Sequence, residues 1–232
     1  MRPFILIAVL FSVAGTVAHA NEMRETIDDA IQIFEAKQNS SRPIPAWVLQ
    51  QAKGIGIIEV TKGGLGVAGA DGQGVIVVRT PTGWSAPFAF TQGGGSVGFQ
   101  VGIDIKKYVY VFNTPESWRA FTGEERVRFQ AGAQATAGPD YSAQDAVKGL
   151  PHANVFVYTL SDGAFAGAAI GGQMIGGATD VNMDAYHTAN PDEILGGQVP
   201  QPPYAQGLYQ TLDSASATGS NPNPHAAMRP GN

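Results

Sequence analysis

Apolar positions along this chain change their period from one stretch to the next, and each change predicts a different element. Phe4 to Val13 is an unbroken apolar run between Met1-Arg2-Pro3 and Ala18-His19-Ala20. From Asn21 to Asn39, Met23, Ile27, Ala30, Ile31 and Phe34 recur at three- and four-residue spacing, which predicts an amphipathic helix. Pro43 and Pro45 interrupt it, and Pro45 suits the first turn of a short second helix, Ala46 to Lys53, closed by Gly54. Strands follow. Ile55–Thr61 and Gly74–Arg79 are apolar runs, with turns predicted at Lys62-Gly63-Gly64 and Asp71-Gly72. A strand over Trp84–Thr91 follows a turn at Pro81-Thr82-Gly83. Val97, Phe99, Val101 and Ile103 alternate with glycine and glutamine, a period of two with one bare face. Lys107–Asn113 reads as a buried strand, Pro115–Phe121 and Glu124–Ala135 as helices, and Asn154–Leu160 with Phe165–Ile170 as a hairpin around Ser161-Asp162-Gly163.

Glycine punctuates the strands. Gly54, Gly56, Gly63, Gly64, Gly66, Gly69, Gly72 and Gly74 fall in one stretch. Glycine inside a strand marks a bulge, a bend or close approach of another backbone, so this stretch predicts bent, closely packed strands. The class is α+β, with a curved or barrel-like antiparallel sheet of short glycine-rich strands and several packed helices. From about residue 188, Pro, Gly, Asn, Ser and Gln dominate. That composition predicts a single domain over 21–187 and a largely disordered tail over 188–232.

Composition changes the picture mainly at the two ends. The positive start, apolar run and small-x-small end over 1–20 read as an export signal cleaved after Ala20. The run is too short to cross a bilayer, which takes about 20 apolar residues. The expectation is an exported protein, periplasmic or secreted. With no cysteine in the chain it forms no disulfide and carries no lipoprotein anchor. Loss of Arg2 with the leader takes the formal charge from −5 to −6. The excess acid lies outside the middle of the chain, and no basic footprint for nucleic acid is present.

Candidate chemistry is sparse. Gly64-Leu65-Gly66-Val67-Ala68-Gly69 matches a dinucleotide fingerprint in spelling, but a glycine turn and a strand follow where a helix is required. Gly94-Gly95-Ser96-Val97-Gly98 spells a nucleophile elbow, making Ser96 the one hydrolase candidate, with His152 or His187 as base and Asp140 or Asp180 to orient it. The residues after Ser96 alternate like a strand instead. Asp180-Val181-Asn182-Met183-Asp184 opens like a calcium loop, yet Ala185 and Pro191 stand where that loop needs Gly and Glu, so it reads as an Asx-rich turn. No metal, cofactor or catalytic constellation is predicted.

The order of the motifs is more specific than any one of them. Ile44-Pro45, Ala52-Lys53-Gly54-Ile55-Gly56, Gly83-Trp84-Ser85-Ala86-Pro87, Gly98-Phe99-Gln100-Val101-Gly102, Ala137-Gly138-Pro139, Val157-Tyr158, Ser161 to Gly167, and Asn182 before Tyr186 together resemble the SYLF-domain family over Ile44–His187. The resemblance implies a non-catalytic lipid-binding module. Eukaryotic members bind phosphoinositide membranes, some also bind actin, and an amphipathic N-terminal helix aids membrane contact. Here that helix carries Glu22, Glu25, Asp28, Asp29 and Glu35 against Arg24 and Lys37, unlike the Lys/Arg-rich face of membrane-surface helices, so it is expected to pack on the sheet. The candidate lipid contacts are Lys53, Lys62, Lys106, Lys107, Arg126 and Arg128, with Trp47 at the interface; Trp84 and Trp118 are expected in the core. Partners implied are a phospholipid or anionic membrane surface. An envelope protein docked by Pro200-Gln201-Pro202-Pro203-Tyr204 is the alternative partner.

Overall fold

The computed structural model describes residues 8–123, 127–128, 135–137, 154–160 and 173–217. The first helix, α1 (Ala8–Gln38), is continuous through the expected cleavage point. Its described buried stripe starts at Met23 and runs through Ile27, Ala30, Ile33 and Phe34, the helical spacing expected of a core-facing side. Ile31, expected in that stripe, is half-buried against it. At the end of α1 the Gln38 amide bonds the backbone of Ile44 in both directions, accepting from its N–H at 2.8 Å and donating to its C=O at 3.3 Å. This pins the turn that leads through Pro45 into α2 (Ala46–Gln51). Among the described residues no helix is long and apolar enough to cross a membrane. The chain from Asn21 keeps all of the described buried stripe of α1, so deleting residues 1–20 is expected to move the melting temperature by less than about 2 °C. Thermal melts of the two chains check this; a fall of several degrees would show that the earlier part of the helix packs as well.

The sheet is built on two strands, β1 (Gly54–Thr80) and β3 (Phe88–Phe112), of 27 and 25 residues. They pair antiparallel almost throughout, from Gly54 opposite Phe112 to Ile76 opposite Phe88, with one bulge between Leu65 and Val67. The expected short strands are therefore two long ones. The turns expected at Lys62-Gly63-Gly64 and Asp71-Gly72 are rungs of this ladder. The ribbon bends so that the second half of β1 lies against its first half. Arg79 donates its N–H to the Lys53 carbonyl at 2.8 Å, and a Cβ on Gly74 would stand 2.1 Å from the Ile57 carbonyl oxygen. The predicted close backbone approach is realised there and at Gly72, whose Cβ would lie 2.3 Å from the Glu59 carbonyl oxygen.

Short strands complete the sheet: β2 (Gly83–Trp84), β4 (Val127–Arg128), β5 (Ala135–Ala137), β6 (Val155–Thr159) and β7 (Met174–Gly177). The order is β2-β1-β3-β6-β5, with β7 pairing β3 at Phe90–Gly93 and β4 pairing β7. Among the described residues the sheet is antiparallel except for β5 beside β6, and it does not close into a barrel. The helix expected over Glu124–Ala135 is replaced at Val127–Arg128 and Ala135 by strand, because those backbones pair with β7 and β6. The second arm of the expected hairpin, Phe165–Ile170, lies outside the described residues.

Alternation along the strands makes two cores. Ile55, Ile57, Val75, Val77, Val109 and Val111 face α1 and α2. Ile58, Val60, Ile76, Phe88, Phe90, Tyr108, Tyr110 and Phe112 face the other way, with Phe121 of α3 (Arg119–Thr122) wedged among the aromatics, 5.0 Å from the Tyr110 ring and 5.1 Å from that of Phe112. Three further helices follow: α4 (Thr179–Tyr186), α5 (Pro191–Ile194) and α6 (Gln206–Ala217), the last preceded by a 3-10 turn at Pro203–Ala205. The segment over Asp180–Asp184 is thus helical rather than an Asx-rich turn. The expected disordered tail is corrected over 188–217. Ala205, Leu208, Tyr209 and Leu212 sit at helical spacing and are buried in the first core, and Ile194 and Leu195 enter the second.

Candidate functional site

Trp84-Ser85-Ala86-Pro87, the most distinctive stretch of the sequence, holds structure rather than chemistry. Between β2 and β3 the chain leaves the ladder, so its backbone groups need partners from elsewhere. Ser85 exchanges bonds with Val78: its N–H donates to the Val78 carbonyl at 2.8 Å, and its Oγ accepts from the Val78 N–H at 3.0 Å. Tyr209 of α6 donates to the Ser85 carbonyl at 2.9 Å, Tyr186 of α4 to that of Pro87 at 2.7 Å, and Gln201 to that of Trp84. Asn182 of α4, fully buried, accepts from the Ala89 N–H and donates to the Ala89 carbonyl, both at 2.8 Å. The Trp84 indole N–H donates to Asp213 of α6 at 2.9 Å, while the Arg79 guanidinium lies 3.8 Å over the ring and 3.2 Å from the same carboxylate. Burial pushes the Tyr186 and Tyr209 hydroxyls well above the ordinary phenol range, with Tyr204 adding to both, so they stay protonated donors.

The predicted lipid contacts are divided among separate places. Lys62, Lys106 and Lys107 come together within the β1–β3 ladder, where Lys62 stands opposite Asp104, Lys106 opposite Val60 and Lys107 opposite Glu59. Two of the three are ion-paired: Lys106 Nζ lies 3.3 Å from Asp104 and Lys107 Nζ 3.1 Å from Glu59. Ile105, next to Lys106 in β3 and on the face that Lys107 shares, is 52 % exposed, one of two large apolar side chains so exposed among the described residues. Lys53 is at the far end of β1, beside Phe112, and exposed. Arg128 is on β4 opposite Met174, and Arg126 lies outside the described residues. Trp47 packs against the first core, and its buried indole N–H has no partner; Trp118 is buried beneath Arg119, as expected of a core position.

The motif look-alikes lose their geometry. Ser96 lies inside β3 opposite Ala68, with strand on both sides, so no strand-turn-helix elbow raises its hydroxyl. His187 ends α4 in the left-handed conformation, and His152 is outside the described residues. The Gly64–Gly69 run is strand, without a following helix to receive a pyrophosphate. Among the described residues no group of three His, Cys, Asp or Glu could hold a metal. A cleft of about 370 Å³ lies between α1 and the start of α4, lined by Glu22, Gln73, Thr91, Thr179 and Asp180. It offers carboxylates and amides but no nucleophile with a base. The segment Pro200–Tyr204, expected to dock a partner, leads into the 3-10 turn, and Tyr204 packs against the first core.

Asn182, Tyr186, Gln201, Tyr209 and Asp213 are the residues that sequence reasoning passed over as a set. They are far from Trp84–Ala89 in the chain, and only Asn182 and Tyr186 stood out, through the motif order.

Comparison with known proteins bears on the same region. Residues 93–215 match a family described as Ysc84, Las17-binding protein actin regulator, and that match reaches into α6. The chain is 34 % identical over 188 residues to Protein YSC84 of Saccharomyces cerevisiae, covering 79 % of this chain and 39 % of that one. LAS seventeen-binding protein 3 of the same yeast is 33 % identical over 190 residues, covering 79 % and 40 %. The human SH3 domain-containing YSC84-like protein 1 is 32 % identical over 182 residues, covering 77 % and 53 %. The chain thus spans between about two fifths and one half of the length of these relatives. No solved structure matches.

Proposed function

We propose that this chain, which belongs to the Ysc84/SYLF family, is an exported, non-catalytic protein that binds anionic lipid surfaces. The observation that carries the reading is the placing of Lys62, Lys106 and Lys107 on neighbouring rungs of the β1–β3 ladder, with the exposed Ile105 on the face that Lys107 shares. Lysines near a charged bilayer contribute about 1 kcal/mol each, and an apolar side chain beside them can enter the interface. The ion pairs with Asp104 and Glu59 do not cancel this. They are part-exposed, worth at most about 1 kcal/mol to folding, and each lysine can exchange its carboxylate for a phosphate.

Reversing both charges, Lys106→Glu with Lys107→Glu, is expected to weaken binding to anionic vesicles by about tenfold or more and to leave the melting temperature nearly unchanged. Unchanged affinity in the folded double variant would remove this patch from the account.

A protein partner in the envelope is the second reading. It is favoured by the names of the relatives, one of which is called for binding LAS seventeen. Binding of that kind would be insensitive to the lipid composition of vesicles, which separates it from the first.

A further inference from the structure

Resting on the lipid-surface reading, we infer that a headgroup phosphate is held on one face of the β1–β3 ladder by Lys62, Lys106 and the Tyr108 hydroxyl, and that Lys107, on the other face, takes no part in holding it. Side chains alternate between faces along a strand, and directly opposed residues share a face. Register therefore sorts the charges. Val60, Lys62, Asp104, Lys106 and Tyr108 share one face; Glu59, Thr61, Ile105 and Lys107 share the other. Lys107 and Glu59 neutralise each other in a 3.1 Å ion pair. On the Tyr108 face, Asp104 stands opposite Lys62 and pairs with Lys106 at 3.3 Å, so two lysines share one carboxylate and positive charge is in excess.

Tyr108 makes this face a site rather than a charged surface. It is fully buried where the face enters the second core, and its hydroxyl has no hydrogen-bond partner among the described residues. Tyr110, stacked beside it with ring centroids 6.0 Å apart, shows the contrast: its hydroxyl donates to Gln92 Oε1, and Gln92 Nε2 donates in turn to Gln173 Oε1 at 2.8 Å. Gln173 lies near the Tyr108 hydroxyl without bonding it. Burial pushes the Tyr108 phenol up and the Asp104 carboxylate adds to it, with Gln173 opposing, so the hydroxyl is a protonated donor in the field of the Asp104–Lys106 pair. A buried donor without an acceptor is costly, and here a ligand oxygen supplies what the fold does not. An oxyanion suits the set. Lys62 and Lys106 stand diagonally across the two strands, about 7–8 Å apart at the backbone, a span that two lysine side chains close on one phosphate. Asp104 is the group that the phosphate displaces, because its part-exposed ion pair contributes little.

Tyr108→Phe is the sharpest test, because it changes no charge and a diffuse attraction between lysines and bilayer does not register it. In the full chain and in the chain from Asn21 it is expected to lower affinity for phosphatidylglycerol-containing vesicles about fivefold or more, and to leave stability in urea equal to wild type or higher. Lys62→Gln is expected to cost about fivefold. The paired variant Glu59→Gln with Lys107→Gln, which keeps the net charge, is expected to bind within about twofold of wild type. Calorimetric titration with inorganic phosphate separates the sources of the anion. Saturation by phosphate that Tyr108→Phe abolishes, with no vesicle binding, would support the oxyanion site and overturn the lipid-surface reading. Tyr108→Phe binding vesicles as wild type does would overturn this inference and leave the lipid-surface reading standing. A marked loss of stability in Tyr108→Phe would also overturn it, because the hydroxyl would then be bonded within the fold. Binding of neither vesicles nor phosphate would overturn both.

Discussion

Replacing Asn182 by alanine is expected to lower the unfolding free energy by about 2–4 kcal/mol, a fall in melting temperature of roughly 5–15 °C. The amide is fully buried and is the partner of both backbone groups of Ala89. The two losses are unequal. The Ala89 carbonyl keeps a second bond, from the Ala178 N–H at 2.9 Å, whereas the Ala89 N–H gives its one hydrogen to Asn182. Orphaning one buried donor costs about 1–3 kcal/mol, and the space left by the amide adds to it. Asn182→Asp separates the two roles. A carboxylate there still accepts from the Ala89 N–H but faces the Ala89 carbonyl without a proton. Its folded-state pKa is therefore raised above the unfolded value, so its stability relative to wild type is greatest at low pH and is lost as pH rises through the folded pKa. Urea melts of the three proteins at acidic and neutral pH check both expectations. An alanine variant as stable as wild type would show that α4 does not hold the start of β3.

The second large effect is at Gly74. Exchanging glycine for alanine in a strand ordinarily stabilises by about 0.5–1 kcal/mol, because glycine loses more freedom on folding. At Gly74 the added Cβ would lie 2.1 Å from the Ile57 carbonyl oxygen and 2.6 Å from Ile58 Cβ, so backbone must move. Overpacking of that kind costs about 1–3 kcal/mol or more, which outweighs the entropic gain. Gly69→Ala is the matched control, since a Cβ there meets nothing within 4 Å. The expectation is a sharp loss of melting temperature for Gly74→Ala and a neutral or slightly raised value for Gly69→Ala. Equal melting temperatures would mean that the two halves of β1 do not approach each other as described.

These two sites also show what the sequence could and could not carry. The stripe of α1 was legible from Met23 to Phe34 because helical spacing is local, and glycine density told correctly of close backbone approach. Strand lengths were not legible. Lys62-Gly63-Gly64 and Asp71-Gly72 have turn chemistry, but glycine also permits the bending of a continuous ladder, and only the partner strand decides between them. The tail was misjudged for a different reason. Ala205, Leu208, Tyr209 and Leu212 carry a clean helical stripe, but averaging composition over a Pro- and Ser-rich segment hides four residues at the right spacing. Val127–Arg128 became strand through pairing with β7, a contact between distant parts of the chain. The clamp around Trp84–Ala89 was out of reach for the same cause: Asp213 and Trp84 are 129 residues apart. Register brings Lys62 beside Lys106 and Lys107, whereas in the sequence Lys62 goes with Lys53 as the two flanks of one short strand; Lys53 and Arg128 had no local signal placing them elsewhere.

The most direct measurement is co-sedimentation of the full chain and of the chain from Asn21 with vesicles, neutral phosphatidylcholine against rising phosphatidylglycerol, at low and high salt. The account predicts that both chains pellet with anionic vesicles, increasingly with anionic content, and that added salt releases the chain from Asn21. If the chain from Asn21 stays in solution with every vesicle while remaining folded, lipid-surface binding is contradicted and a protein partner takes its place.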